Sequence, residues 1–372
     1  MISQEDLQEL LALESESAPV VSLYLDTNTA QTSSETIKRQ ARAMLKEAEC
    51  PDEDVEAIEN YLDLAYHWDK PGLAVFSCAG EDYFRSFPAA VSFRNRVRVG
   101  TRPHVKPLAH LLDHYAHYGV AVVDRVGARY FEYHLGELQD SAGTMGEDVR
   151  KLKRGGGSAR GGAAGSGQRG GQGARHEAEV AQRNLRDAAE VAEQFFNGKP
   201  IRRLFIGGTT ENVAQFRELL SKRMQSRIAG TFAIDMTAGE HEVREQSLEL
   251  LQEANQRREQ ELVDQLITTA AKGGNAVTGL ADTLRTVSEG RVQTLILSDG
   301  YRAPGYRHQV SHFLAVHANE AVPFGDEEQV QSVDDIVEEA VSRTIEQGGH
   351  VEIVSSSEKL DRAGRIGALL RY

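Results

Sequence analysis

Two cysteines, Cys50 and Cys78, are all that 372 residues contain. They are too few for a disulfide framework and form no Cys-x-x-Cys pair suited to zinc, so buried free thiols are expected. No run of about 18 apolar residues occurs, so no membrane-spanning helix is expected. The start, MISQEDLQELLALESES, has no basic region followed by an apolar one. That argues against a secretory signal and for a cytoplasmic location. No Gly-x-x-x-x-Gly-Lys is present, which excludes a P-loop. Positive charge is short as well: 42 Lys and Arg face 56 Asp and Glu, a formal net charge of −14. Indiscriminate RNA binding is disfavoured by that balance, since like charge repels phosphate.

Against this acidic background one stretch stands out. From Arg150 to Arg175 there are seven Lys or Arg and no Asp or Glu. The segment ends in Gly165-Ser166-Gly167-Gln168-Arg169-Gly170-Gly171-Gln172-Gly173-Ala174-Arg175. So much glycine without an apolar anchor carries high conformational entropy, and the loop is expected to stay mobile until an anionic partner orders it. Lys151, Lys153, Arg154, Arg160, Arg169 and Arg175 are the candidate contacts to RNA phosphates. Three Arg-Gly-Gly repeats, beginning at Arg154, Arg160 and Arg169, suit the same class of ligand. Gly165-x-Gly167-x-x-Gly170 also matches a dinucleotide fingerprint, but low-complexity sequence stands where that motif needs a strand.

The flanking patterns give an α/β fold in three domains. In the N-terminal domain (1–112), a mixed-sheet α/β unit, Val20-Val21-Ser22-Leu23-Tyr24-Leu25 and Leu73-Ala74-Val75-Phe76 read as strands. Helices are expected over 34–49, capped by Ser34, and over 52–66. Arg94, Arg96 and Arg98 alternate along a strand, as a phosphate-facing stripe or, preferably, a solvated outer face. The middle domain (113–237) reads as an α/β sandwich interrupted by the long glycine-rich loop. Tyr118-Gly119-Val120-Ala121-Val122-Val123 is apolar enough for a strand buried on both faces, and 128–133 returns as its hairpin partner. An amphipathic helix follows over 176–196, then strands over 204–208 and 231–235 around a helix from Val213 to Arg223. A helical pattern over 240–272 leads into the C-terminal domain (238–372), an α/β/α sandwich with strands over 292–297, 351–354 and 364–372. The segment 301–326 reads as an irregular surface excursion.

Arg169-Gly170-Gly171-Gln172-Gly173-Ala174-Arg175 resembles the Gly-Gly-Gln loop of the archaeo-eukaryotic class-1 peptide chain release factors. In that family the loop lies in the middle of three domains, follows a strand hairpin and leads into a long amphipathic helix. The resemblance implies a bacterial-type homologue that hydrolyses the peptidyl-tRNA ester on the ribosome. Gly170, Gly171 and Gln172 would be the catalytic tripeptide, with Gln168 as a rival tip. A glutamine amide does not titrate usefully, so its contribution would be positional. The implied partners are the ribosome and the acceptor end of tRNA, with a translational GTPase as a further candidate; no metal or cofactor is expected. Of the family's first decoding motif only Ile37-Lys38 remains, and Arg98-Val99-Gly100-Thr101-Arg102-Pro103-His104 stands in place of the second. Codon-independent rescue is therefore expected over stop-codon reading. The cysteines of some relatives' zinc-binding insertion are absent, and His312 and His317 alone make no site. Two other classes compete: a non-catalytic, hibernation-type ribosome-binding factor, and a nuclease acting on the tRNA acceptor end.

Overall fold

A computed structural model describes residues 2–15, 17–146, 169–321 and 329–372, and for Gln4 and 169–175 the backbone alone. The chain divides into two compact units, residues 1–114 with 255–372, and residues 115–254. The first and third of the expected domains thus share one unit.

In the first unit, the elements up to residue 114 are α1 (Gln4–Ala12), β1 (Val20–Asp26), α2 (Ser34–Glu47), α3 (Asp52–Asn60), β2 (Gly72–Cys78), β3 (Tyr83–Ala89), β4 (Arg96–Gly100) and α4 (Lys106–His114). The strands form a sheet in the order β3-β2-β1-β4. All its pairings are antiparallel, so the sheet expected to be mixed is not. Alternation splits β1 between two faces. Val21, Leu23 and Leu25 pack with Ile37, Ala41 and Leu45 of α2 and Ile58 of α3. On the other face, the Tyr24 ring meets Phe76, Phe93 and His104. The cap of α2 is Ser33, one residue before the expected Ser34, because its backbone is extended and its hydroxyl accepts from the Thr36 N–H. Cys78 is buried and Cys50 half-buried, both unpaired.

The second unit holds β5 (Tyr118–Val123), β6 (Gly127–His134), β7 (Glu137–Met145), α5 (Arg169–Phe196), β8 (Arg203–Gly208), α6 (Thr210–Leu219), α7 (Lys222–Gln225) and β9 (Ile228–Phe232). It also holds the first half of α8 (Glu240–Ala271), a helix that runs on into the first unit. The sheet order is β7-β6-β5-β8-β9, antiparallel from β5 to β7 and parallel from β5 to β9, a mixed sheet as expected. Ala121 and Val123 pack under α5 and α6 on one face, while Val120 and Val122 meet Val243 and Leu251 of α8 on the other. Strand β9 begins three residues before the expected position.

The remaining elements of the first unit are β10 (Ala276–Thr278), α9 (Leu280–Ser288), β11 (Val292–Ser298), β12 (Gly305–His308), β13 (Leu314–Ala315), α10 (Ala318–Ala321), β14 (Val330–Val333), α11 (Ile336–Glu346), β15 (His350–Val354), α12 (Glu358–Arg362) and β16 (Ile366–Leu370). The mixed sheet β10-β16-β11-β15 has helices on both faces. Leu295 and Leu297 pack with α9 and α11, whereas Ile296 packs with Val263 and Leu266 of α8 and Leu360 of α12. The expected irregular excursion is in fact partly ordered: β12 pairs with β13 and β14 in a small antiparallel sheet. Its strands are short and carry Arg307 and His308, both buried, which hid them from hydrophobic patterning. No described helix is long and apolar enough to cross a membrane.

Candidate functional site

The middle domain fixes both roots of the basic segment. At the entry, Asp124 Oδ1 accepts from the Val126 and Gly127 N–H groups at 2.7 and 2.8 Å, closing the turn before β6. The Gly146 N–H, just past β7, donates to the Val126 carbonyl at 2.7 Å. A Cβ on Gly146 would stand 2.1 Å from Asn184 Oδ1 on α5, so the close approach requires glycine. Asn184 Nδ2 in turn donates to the Arg125 carbonyl at 3.0 Å.

At the exit, α5 is held by its C-terminal half. Leu185, Ala188, Ala192 and Phe196 are in the core, and the Tyr130 hydroxyl donates to the Ala188 carbonyl at 2.6 Å. Towards the N-terminus the first buried side chains described on α5 are Val180 and Ala181, while His176, Ala178 and Glu179 are exposed. With a rise of about 1.5 Å per residue, Gln172 lies about 12 Å of helix before Val180. Helix α5 therefore starts seven residues earlier than the pattern over 176–196 suggested, with the backbone of Arg169, Gly170, Gly171, Gln172 and Arg175 inside it. Glycine costs about 1 kcal/mol in a helix relative to alanine, which is why the sequence argues against helix here. Lys151, Lys153, Arg154, Arg160 and Gln168 lie outside the described residues.

A titratable cluster of this domain lies at the other end of α5. Lys199 pairs with Glu132 at 2.8 Å and with Asp140 at 2.5 Å, and its ammonium sits 3.9 Å from the Phe195 ring centroid. His117 contacts Glu132 at 3.0 Å and stacks on His134. Burial, with the neighbouring His117, lowers the His134 pKa to about 4. From Gln172 to Phe196 is about 36 Å of helix, so this cluster is remote from the tripeptide.

The first unit's basic residues are engaged elsewhere. Of the arginines at 94, 96 and 98 only Arg94 is solvated, as the preferred reading had it; Arg96 is largely covered, and Arg94 and Arg96 pair with Asp299 at 2.8 and 3.3 Å. Arg98 is half-buried, and burial, with Arg302 and Arg96 nearby, lowers its pKa. A cleft of about 570 Å³ opens beside it, lined by Arg98, Arg102, Arg302, Arg307, Asp335 and Glu338 among others. Arg102 pairs with Glu14 at 2.5 Å, and His104 Nδ1 lies 2.6 Å from Glu338. Lys106 contacts both Asp335 and Glu338. Burial alone would raise the Glu338 carboxyl, but His104 and Lys106 bring it down to about 2. His312 and His317 are exposed, as expected. A group that the sequence did not suggest is brought together by α4, α8 and β15: His114, Glu259 and Glu352, all buried. Their separations of 145 and 93 positions leave no local motif to find.

Comparison with known proteins places these regions. Residues 103–252 match the model of bacterial archaeo-eukaryotic release factor family 10, and residues 256–372 match eRF1 domain 3. The chain is 29% identical over 189 residues to peptide chain release factor subunit 1 of Archaeoglobus fulgidus, a match covering 45% of this chain and 46% of that protein. It thus spans about half the length of that curated relative. Among solved structures, a ribosome-bound archaeal Pelota aligns over 100% of this chain and 94% of its own, with 14% identity and a TM-score of 0.42. Dom34 of S. cerevisiae aligns over 100% and 93%, with 11% identity and a TM-score of 0.41. Two adjoining stretches, residues 103–252 and 256–372, thus match release-factor models, and over both of them the chain is similar to the archaeo-eukaryotic release factors.

Proposed function

We propose that this protein is a ribosome-associated release or rescue factor in which Gly170-Gly171-Gln172 promotes hydrolysis of the ester between a nascent peptide and its tRNA, without reading a stop codon. One observation carries the reading: the tripeptide opens α5, about 12 Å of helix ahead of the first buried side chain described on it. Backbone N–H groups in a first helical turn lack intrahelical acceptors, and the helix dipole is positive there. Such groups suit the oxyanion of a tetrahedral intermediate. Water adds to the ester carbonyl carbon, charge gathers on the carbonyl oxygen, and collapse breaks the bond to the ribose oxygen, which takes up a proton. The Gln172 amide orients the water but cannot deprotonate it; a ribose hydroxyl of the tRNA relays the proton. Gly170 and Gly171 let the backbone come close where a Cβ would obstruct it. Lys151, Lys153, Arg154, Arg160, Arg169 and Arg175 hold RNA phosphates along the approach.

Independence from the codon is supported by residues 98–104, whose Arg102 and His104 are engaged by carboxylates of their own unit. A translational GTPase is the candidate delivery partner. The test is incubation with stalled ribosome–nascent-chain complexes, reading peptide and tRNA length on one gel. Free peptide with full-length tRNA is expected, abolished by Gln172→Ala and largely kept in Gln168→Ala. A shortened tRNA would make the protein a nuclease. Ribosome binding with neither product would make it a passive, hibernation-type occupant.

A further inference from the structure

Helix α4 ends at His114, the last residue of the first unit before the chain leaves it, and the chain re-enters that unit at Asn255 within α8. Around this point the carboxylates of Asp113, Glu259 and Glu352 are buried, and the half-buried Arg258 pairs with Asp113 and Glu352. Buried charge is stable only when matched, and three carboxylates here face the guanidinium of Arg258 and the imidazoles of His114 and His350. Either those imidazoles share the balance, or a divalent cation supplies it.

The geometry suits the second solution. His114 Nε2 lies 3.0 Å from Glu259 Oε1 and 3.7 Å from Glu352 Oε1, and the three ligand atoms lie within 4.8 Å of one another. Bonds of about 2.1 Å at tetrahedral angles separate neighbouring ligand atoms by about 3.4 Å. Each side chain also has a partner behind it. His114 Nδ1 faces the His110 carbonyl at 3.2 Å, and Glu259 Oε2 accepts from the Ser355 N–H at 2.9 Å. Both Glu352 oxygens accept from Arg258 Nη2, at 2.9 and 2.8 Å. Outer partners of this kind fix the tautomer and orientation of metal-binding side chains. The His110 ring lies against His114, tilted by 39° with centroids 3.7 Å apart, and its buried Nδ1 has no hydrogen-bond partner among the described residues.

We propose that His114, Glu259 and Glu352 form a zinc site that joins the end of α4 to α8 and β15. One imidazole with two carboxylates is a donor set zinc accepts, with a fourth position left to water, and all three side chains are buried. The site uses no residue of the glycine-rich segment and neither of the exposed His312 and His317.

The test uses the untagged full-length chain and zinc ion alone. After dialysis, metal analysis should find one zinc per chain, and cobalt substitution should give the visible absorption of a low-coordinate site. Chelation should lower the melting temperature. Glu259→Gln and His114→Asn should each weaken zinc binding by about 100-fold or more, and His350→Asn, at the half-exposed edge of the cluster, should retain it. Wild-type chain that takes up no stoichiometric zinc overturns the site, and so does binding that survives both ligand substitutions. Should a variant fail to fold, the wild-type stoichiometry and cobalt spectrum still decide. None of these readouts involves peptide release.

Discussion

Two stretches of this chain are rich in cations, and they differ in what surrounds them. Between residues 94 and 106, Arg94, Arg96, Arg102, His104 and Lys106 each have a carboxylate of the same unit within ion-pair distance. Between 150 and 175 the sequence offers seven cations and no acid. The first arrangement spends charge on holding helices and sheets together. The second offers no acid of its own, and in the proposed function its charge is matched by RNA phosphate. Cation content alone does not separate a binding surface from an internal joint; the location of the acids does.

The largest effect expected from this contrast is catalytic. Gln172→Ala should reduce peptide release from stalled ribosomes by roughly 10²- to 10³-fold, the scale of losing one oxyanion or water-positioning group, and leave the thermal unfolding of the chain unchanged. Release that persists in Gln172→Ala and disappears in Gln168→Ala would move the working amide four residues upstream.

Next in size is a loss of stability in the other stretch. Glu338 is mostly covered and packs against the buried His104 and Lys106, and its carboxylate also accepts from the Val105 N–H at 2.8 Å. Glu338→Gln should destabilise the first unit by about 3 kcal/mol, because it leaves buried cations short of a counter-charge. The folded carboxyl titrates at about 2, below its ordinary value of 4.5. Its contribution is therefore complete above the unfolded value and drains away as pH falls from about 4.5 towards 2. Melting temperature against pH should fall over that window in the wild type and more shallowly in Glu338→Gln. Identical slopes would mean that the carboxylate is not held by the cations beside it.

How much of this was legible follows from where each signal resides. Buried strands such as Val120-Ala121-Val122-Val123 carry their own apolar run, and α2 carries its own period, so both kinds of element were readable. Strand β7 was missed because it forms an edge of the sheet and most of its residues are exposed, without alternation. The tripeptide was legible as a motif, but not the start of α5, since glycine propensity opposes a helix there. The ion pairs of residues 94–106 were not legible either: Arg94 and Asp299 lie 205 positions apart, as do other partners at similar range. The same long range hid His114, Glu259 and Glu352. Side-chain type is local, but pairing is set by topology.

Electrostatic affinity gives a smaller and more graded effect. Arg160→Gln should reduce the slope of log affinity for ribosomes against log salt by about 0.9, the release of one counterion from one phosphate contact. An unchanged slope would remove Arg160 from the interface.

The smallest effect belongs to the same residue type in the other stretch. The Arg94 side chain is 76% exposed although its guanidinium lies 2.8 Å from Asp299. An exposed ion pair is screened by water and salt and costs side-chain entropy to hold. Arg96 also reaches Asp299, at 3.3 Å, and keeps that carboxylate paired when Arg94 is lost. Arg94→Gln should therefore change stability by no more than about 0.5 kcal/mol. Because its counter-charge is supplied by the protein, the substitution should also leave the salt dependence of ribosome binding unaltered. A drop in that slope matching the one for Arg160→Gln would show that Arg94 exchanges Asp299 for a phosphate on the ribosome, and the division between internally and externally matched cations would no longer hold at this residue.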